Sequence, residues 1–572
     1  MIGLWIQILL LIPLLTAQNV TIQTPMGSVT GFRVDYGNNT SNLYYGKGVV
    51  FLGIPYAQPP IGNLRFQLPQ SLNRYRTSPL DATQYPAACP QARTEGIPGA
   101  LDAPCTKQSE DCLYLNVYTP DTTTPNKYPV MIWIHGGSLA AGCAKEYPYK
   151  GAIRNLVSRG VVVVVIQYRL AALGFFTTNT TDFPANRGLL DQIEAFKWVQ
   201  NNIASFGGNP NLVTLFGQSA GGISISAHTY SPLSRGLFHQ AIVESGTIFM
   251  SLYGSASNRN SSAITAQNLC QIPQNQFNRG NFGQLKTCMN NISVSAFVAA
   301  DKADYGNWLI IRDNNFLPGT PQSLNAQRAR IPVMYGSPKD EAALPLYFMM
   351  ESGVRFEDFN QSFLQRTFMK ENVFSPYQRN LNAAWNTISQ SYLTNSQANS
   401  NNASYWWLKT SDIFSASNFT QWIWKDVQLQ LANRNPMVYL YEQTYGSKIM
   451  QRKVGDEVTR KLNGYRPVPH SAENPFIWMF EPIWNAETQA NRVVPFDHTL
   501  ANAYGTWWTN FAKFGRPTVD NSWRPVYGQT MQHFRIDQPQ QGGMTMVQGY
   551  RDQDGDVFQR QLVSIFGDGP NR

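Results

Sequence analysis

An α/β fold, with a mostly parallel central β-sheet covered by helices on both faces, is the architecture this sequence predicts. Three observations carry it. The runs 130–134, 161–166, 212–216 and 437–441 are continuously apolar, as strands buried on both faces are, whereas half-solvated strands alternate. Apolar residues recur at 189, 193, 196, 199 and 203, steps of three and four that describe one face of an amphipathic helix. That helix runs into the turn cluster Phe206-Gly207-Gly208-Asn209-Pro210 and then into the strand at 212–216. Helix and strand thus alternate, as a parallel sheet requires.

The same strand leads into Gly217-Gln218-Ser219-Ala220-Gly221, and small and apolar residues then open a helix through Ala227. A glycine two positions to either side lets the chain turn sharply, with the Ser219 hydroxyl at the apex. A strand–turn–helix of this kind makes a serine a candidate nucleophile. The pentapeptide alone also fits a plain surface turn, so its flanks must decide.

Those flanks are specific. Upstream stand Glu110-Asp111-Cys112-Leu113-Tyr114-Leu115-Asn116-Val117-Tyr118 and Trp133-Ile134-His135-Gly136-Gly137, and the elbow itself reads Phe216-Gly217-Gln218-Ser219-Ala220-Gly221-Gly222. Here the chain resembles the type-B carboxylesterase/cholinesterase family of α/β-hydrolases. The likeness runs from Phe51-Leu52-Gly53-Ile54-Pro55-Tyr56-Ala57 to Trp507-Trp508-Thr509-Asn510-Phe511-Ala512-Lys513, nearly the whole chain. It implies an α/β-hydrolase fold, a single catalytic domain over 18–572, and hydrolysis of small carboxylic esters. No His-Glu-x-x-His, paired Cys-x-x-Cys or phosphate loop occurs, so neither a metal nor another cofactor is expected.

A serine hydroxyl needs a base to take its proton, and the base needs a carboxylate to hold its tautomer. In α/β-hydrolases the chain order is serine, acid, histidine. That order sets aside His135, His228 and His239 and leaves His470, His498 and His533. Pro469-His470-Ser471-Ala472-Glu473 resembles the family's His-x-x-Glu segment, which makes His470 the expected base. His498 reads as a packing or capping residue and His533 as structural. The resemblance carries the acid onto Glu341, in Lys339-Asp340-Glu341 at the end of an apolar strand. Asp340 should point elsewhere, because successive strand residues face opposite sides.

Charge developing on the substrate carbonyl oxygen requires backbone donors already in place. The Ala220 amide follows the nucleophile. By analogy with esterase glycine turns, Gly136, Gly137 and Ser138 supply the others after the strand at 130–134. Many relatives have a third glycine where this chain has Ser138. Ser245, after a further strand, is expected to hydrogen-bond near the acid.

The N-terminus is apolar through Leu15 and ends in Thr16-Ala17-Gln18. It reads as a signal peptide over 1–17, too short to read as a membrane span. A secreted chain without a membrane anchor is therefore expected. Asn19, Asn38, Asn39, Asn179, Asn260, Asn291, Asn360, Asn402 and Asn418 each begin a glycosylation triplet, of which about half are expected to be occupied. Disulfides are the default for cysteines in that compartment. The resemblance suggests Cys89–Cys112 and Cys270–Cys288. Cys105 and Cys143 are left open between pairing with each other and one remaining a free thiol. The net charge of +9 forms no basic stripe with interleaved aromatics, so no nucleic-acid partner is expected. Its densest run, 452–466, reads as a solvated loop, as does the polar stretch 395–404. Oligomeric state is not legible.

A quaternary ammonium needs an aromatic face. Between Cys89 and Cys112 there is no Trp, Tyr or Phe, and Gln218 stands where cholinesterases place a glutamate. Choline esters are therefore not the expected substrates. Gln218 also resembles juvenile hormone esterases, on the strength of one residue. The alternative from another class is a catalytically silent adhesion or binding protein of neuroligin or glutactin type, on the same fold. Such relatives usually lose triad members, whereas Ser219, Glu341 and His470 are all present here. The sequence therefore reads as a secreted serine carboxylesterase.

Overall fold

The computed structural model describes residues 18–92, 105–252, 255–280, 282–301, 308–366, 380–393, 401–449, 453–528 and 531–566. The expected signal peptide lies outside them. Among the described residues thirteen strands form one sheet: β1 Asn19–Thr24, β2 Gly27–Asp35, β3 Lys47–Pro55, β4 Leu80–Asp81, β5 Tyr114–Thr119, β6 Tyr128–Ile134, β7 Val162–Ile166, β8 Gly208–Gln218, β9 Gln240–Glu244, β10 Val333–Pro338, β11 Val438–Gln443, β12 His533–Ile536 and β13 Thr545–Val547. Their order is β1-β2-β3-β5-β7-β6-β8-β9-β10-β11-β12-β13, with β4 beside β2. From β7 to β12 every pairing is parallel. The strands from β1 to β7 and the β12–β13 edge are antiparallel apart from β4.

The apolar runs are continuous because each strand feeds two cores. Val130, Ile132 and Ile134 of β6 enter one cluster, with Leu189, Ile193, Phe196 and Val199 of the helix Arg187–Asn202. Met131 and Trp133 enter the other, with Leu500, Tyr504, Trp508 and Phe511 of the helix Pro495–Phe514. Helices thus cover both faces of the sheet.

The helix Arg187–Asn202 also buries polar residues that a one-faced helix would leave in water. Asp191 accepts from Arg169 at 2.7 and 2.8 Å, both side chains almost wholly buried. Gln192 accepts from or donates to His228 and Ser224. Paired and hydrogen-bonded, these groups avoid the cost of bare polar burial.

Two expected loops differ. Residues 453–461 are a helix, Lys453–Lys461. Val454, Val458 and Leu462 form an apolar line at four-residue steps that packs into a third core, while Lys461 pairs with Glu357 and Glu457 on the wet side. The high charge of the run hid that line. The polar stretch ends earlier than expected: Asn402 accepts from the Ser404 and Tyr405 amides and caps the helix Ala403–Ser415. Residues 394–400 lie outside the description.

All six cysteines pair: Cys89–Cys112, Cys270–Cys288 and Cys105–Cys143. The last bridge settles the pair left open by the sequence. Asn19, Asn38, Asn39, Asn179, Asn291, Asn360 and Asn402 are exposed. Asn418 is half-buried, its amide donating to Phe414 O and Ser417 Oγ, which leaves it poorly presented for modification. The Asn260 side chain is not among those described. Among the described residues no helix is long and apolar enough to cross a membrane.

Candidate active site

β8 delivers Ser219 to the carboxyl end of the sheet, where the helix Ala220–Tyr230 begins. Ser219 sits at φ 58°, ψ −123°, a conformation that costs a non-glycine residue about 1–3 kcal/mol. Packing and backbone bonds hold it there. Its N–H donates to Glu244 O at 2.9 Å, and its carbonyl accepts from the Ile223 amide at 2.8 Å. The glycines allow the close approach: a Cβ on Gly217 or Gly221 would lie 2.4 or 1.9 Å from Ile134 O. The elbow is therefore pressed against the end of β6.

The turn after β6 lies on the other side of the serine. A Cβ on Gly136 would lie 3.0 Å from Ser219 Cβ, so this turn touches the nucleophile candidate directly. Gly137 has φ 105°, and a Cβ there would strike Ala141 O at 2.2 Å. Ser138, at φ 56°, is exposed and keeps the left-handed path without being glycine. Ala220, buried, heads the elbow helix, where an unbonded amide and the helix dipole favour negative charge. Cys105–Cys143 and the Gln91 amide, which bonds Gly142 at both N–H and carbonyl, anchor the far end of the turn.

Glu341 follows β10 and is fully buried. Its Oε2 lies 2.5 Å from His470 Nδ1, and its backbone carbonyl accepts from the His470 amide at 3.3 Å. Asp340 turns away as expected, accepting from Tyr465 OH and the Val468 amide. The His470 ring, 11% exposed, packs 4.9 Å from Phe419. Gln218 Nε2 lies 3.0 Å from its Nε2. The Glu341–His470 contact and the Ser219 elbow are thus joined through Gln218. Among the described residues no hydrogen bond links Ser219 to His470 directly.

Behind the histidine lies a group of acids that the sequence reading did not single out. Glu473 is fully buried; its Oε1 accepts from Ser245 Oγ at 3.4 Å and Tyr441 OH at 3.2 Å, while Oε2 has no partner. Ser245, expected beside the acid, therefore meets Glu473 instead of Glu341. Burial, then the charge of Glu341, pushes the Glu473 carboxyl up to about 7. Glu244, also buried, accepts from Trp508 Nε1 at 2.8 Å. Burial and then Glu473 raise its carboxyl well above the usual range. In sequence Glu244 closes the apolar run Ala241-Ile242-Val243, and Glu473 ends the His-x-x-Glu segment.

The remaining histidines are packed elsewhere. His135 stacks on Tyr168 at 4.6 Å, and burial lowers its pKa to about 4. His228 bridges Ser234 and Gln192 at 2.8 Å each, and burial lowers it to about 3. His498 is exposed beside Trp484, and buried His533 packs on Tyr550. Among the described residues no cluster of three potential ligands could hold a metal ion.

Comparison with known proteins agrees with this architecture. Residues 18–558 match the model of the carboxylesterase family. The chain is 38% identical over 324 residues to an acylcarnitine hydrolase of Mus musculus, covering 55% of this chain and 56% of that protein. It is 36% identical over 384 residues to carboxylesterase 1C of Rattus norvegicus, covering 64% and 65%. It is 40% identical over 292 residues to a cocaine esterase of Homo sapiens, covering 50% of each. The matches thus span about half to two thirds of these relatives' own length.

Proposed function

We propose that this chain, which belongs to the carboxylesterase family, hydrolyses carboxylic esters through an acyl-enzyme formed on Ser219. His470 Nε2 takes the Ser219 Oγ proton as Oγ bonds to the ester carbon, and the carbonyl electron pair moves onto oxygen. The amides of Gly136, Gly137, Ser138 and Ala220 receive that oxyanion. Collapse breaks the bond to the alcohol, which leaves with the proton held by His470. Water, deprotonated by the same nitrogen, then attacks the acyl-serine and frees the acid. Glu341 keeps the Nδ1 proton in place throughout and stabilises the transient imidazolium. The observation that carries the reading is the 2.5 Å Glu341–His470 contact beside the strained Ser219 elbow.

The substrates are neutral esters rather than choline esters, because the segment between Cys89 and Cys112 offers no aromatic face and Gln218 no charge. The mature domain begins near Gln18 and is secreted with glycans at some of the exposed sequons. Neither a metal nor a cofactor takes part in this scheme.

A panel of p-nitrophenyl and thiocholine esters tests it. Neutral aryl esters should show the higher kcat/KM. Ser219→Ala and His470→Ala should each lower kcat by about 10⁴–10⁶. The double variant should lose little more than either single one, since these groups act as a unit. Activity surviving Ser219→Ala in folded protein would instead favour another nucleophile, and full inactivity of the native chain the binding-protein alternative.

A further inference from the structure

Gln91 is 1% exposed and stands just after Cys89, in the segment closed by the Cys89–Cys112 bridge. A buried primary amide needs partners, and here they are all backbone groups. Nε2 donates to Gly142 O at 3.0 Å and to Cys89 O at 3.1 Å, while Oε1 accepts from the Gly142 amide at 2.9 Å. Carbonyls face the nitrogen and an N–H faces the oxygen, so one orientation of the amide satisfies both ends. The bridged segment thus grips a single glycine by both of its main-chain groups. Among the described residues those two groups, which are buried, have no other partner.

Gly142 is where the turn after β6 comes back on itself. Its φ is 111°, and a Cβ there would lie 2.4 Å from His135 Nδ1 and 2.9 Å from Gly136 O. Those two atoms are themselves 2.9 Å apart. A carbonyl can only accept, so Nδ1 carries the ring proton and donates to Gly136 O. In a trans peptide the C=O and the following N–H point in opposite directions. Tying Gly136 O to His135 therefore turns the Gly137 N–H away from that ring. Gly137 O accepts from the Ala140 and Ala141 amides at 2.9 Å each, which turns the Ser138 N–H away from the inside of the turn. Among the described residues neither of these two N–H groups has a partner.

We propose that Gln91 is a positioning residue for this turn: by pinning Gly142 against His135 it keeps the Gly136 carbonyl tied back and the Gly137 and Ser138 amides free for the substrate oxygen. The Cys105–Cys143 bridge secures the chain one residue further on, but it does not hold the peptide groups of Gly142. Without the Gln91 amide both groups would be bare in a buried place, and the turn would shift to find them partners.

The proposal rests on the reading of Ser219 as nucleophile and of this turn as the oxyanion site. The test is kcat and KM on a neutral p-nitrophenyl ester, together with the Ki of an aryl trifluoromethyl ketone. The proteins are the full chain, Gln91→Met, Gln91→Glu and Ser219→Ala, with thermal midpoints as controls. The ketone reports on the oxyanion: Ser219 Oγ bonds to its carbonyl carbon, the proton passes to His470, and the carbonyl electron pair stays on oxygen. Deleting an oxyanion donor outright costs about 10²–10³ in kcat. Gln91→Met displaces donors without deleting them, and should lower kcat by about tenfold with KM within about twofold of native. The ketone Ki should rise in proportion to the fall in kcat/KM. Gln91→Glu keeps an acceptor for the Gly142 amide and should lose only about threefold; it carries the test if the Met variant does not fold. Folded variants with native kcat and ketone Ki, whether or not the thermal midpoint falls, would overturn the role given to Gln91. So would a rise in KM with kcat unchanged. Activity and ketone binding that survive Ser219→Ala would overturn the underlying reading instead, so the two failures are distinguishable.

Discussion

Around Ser219 the backbone does the positioning: two main-chain hydrogen bonds, glycines pressed against Ile134 O, and a turn that abuts the serine Cβ. Around His470 buried side chains do it: Glu341 at Nδ1, Gln218 and Phe419 against the ring, and Glu473 and Glu244 behind. The first region is fixed by shape and is indifferent to pH. The second includes buried titratable groups, where charge and burial decide its state. Strain is thus stored at Ser219, and electrostatic cost around His470.

If that contrast is right, the largest loss of stability should come from adding one methyl to the elbow. Gly221→Ala places a Cβ 1.9 Å from a sheet carbonyl, and neither backbone can yield cheaply. A loss of about 3 kcal/mol is expected in urea unfolding, alike at pH 5 and pH 8. A neutral outcome would mean that the elbow is looser than its contacts indicate.

The histidine side should respond to pH instead. The Glu473 carboxyl titrates at about 7 in the folded state against 4.5 for its ordinary value. The folded chain therefore binds more protons than the unfolded one between these limits, and this group removes stability as pH rises through that window. Glu473→Gln should unfold at a urea midpoint that falls less between pH 4.5 and 7.5 than the native one. An unchanged difference between those pH values would place the carboxyl in a wetter setting.

His228 gives the smaller, opposite effect. It stays neutral in the fold down to about pH 3, whereas its ordinary value is 6.5. The unfolded chain binds the extra proton, so stability from this group is present above 6.5 and drains away as pH falls towards 3. His228→Asn should be less stable than the native chain at pH 7, having lost the bridge between Ser234 and Gln192. It should lose less on going to pH 4.5, as urea midpoints at the two values would show.

The same contrast explains what the sequence disclosed. Gly217, Ser219 and Gly221 are legible because their geometry is local, and spacing alone expresses it. The sheet centre is legible because strands feeding two cores must be apolar throughout. Glu341 and His470 are 129 residues apart, and only family resemblance brought them together. Glu473, three residues after His470, and Glu244, at the end of β9, look like ordinary acids until the fold buries them. Cys105–Cys143 went unassigned for the same reason, since spacing does not report which thiols meet. The helix Lys453–Lys461 was hidden by its charges, although Val454 and Val458 sit one turn apart.

The central claim is that Ser219 is the nucleophile and His470 its base. Intact-mass analysis and peptide mapping after treatment with a fluorophosphonate test it most directly, because the reagent reads nucleophilicity without requiring the natural ester. The account predicts one adduct per chain, on the peptide containing Ser219, absent in Ser219→Ala and formed far more slowly in His470→Ala. An unmodified Ser219 in folded protein, or an adduct mapped to another residue, would contradict it.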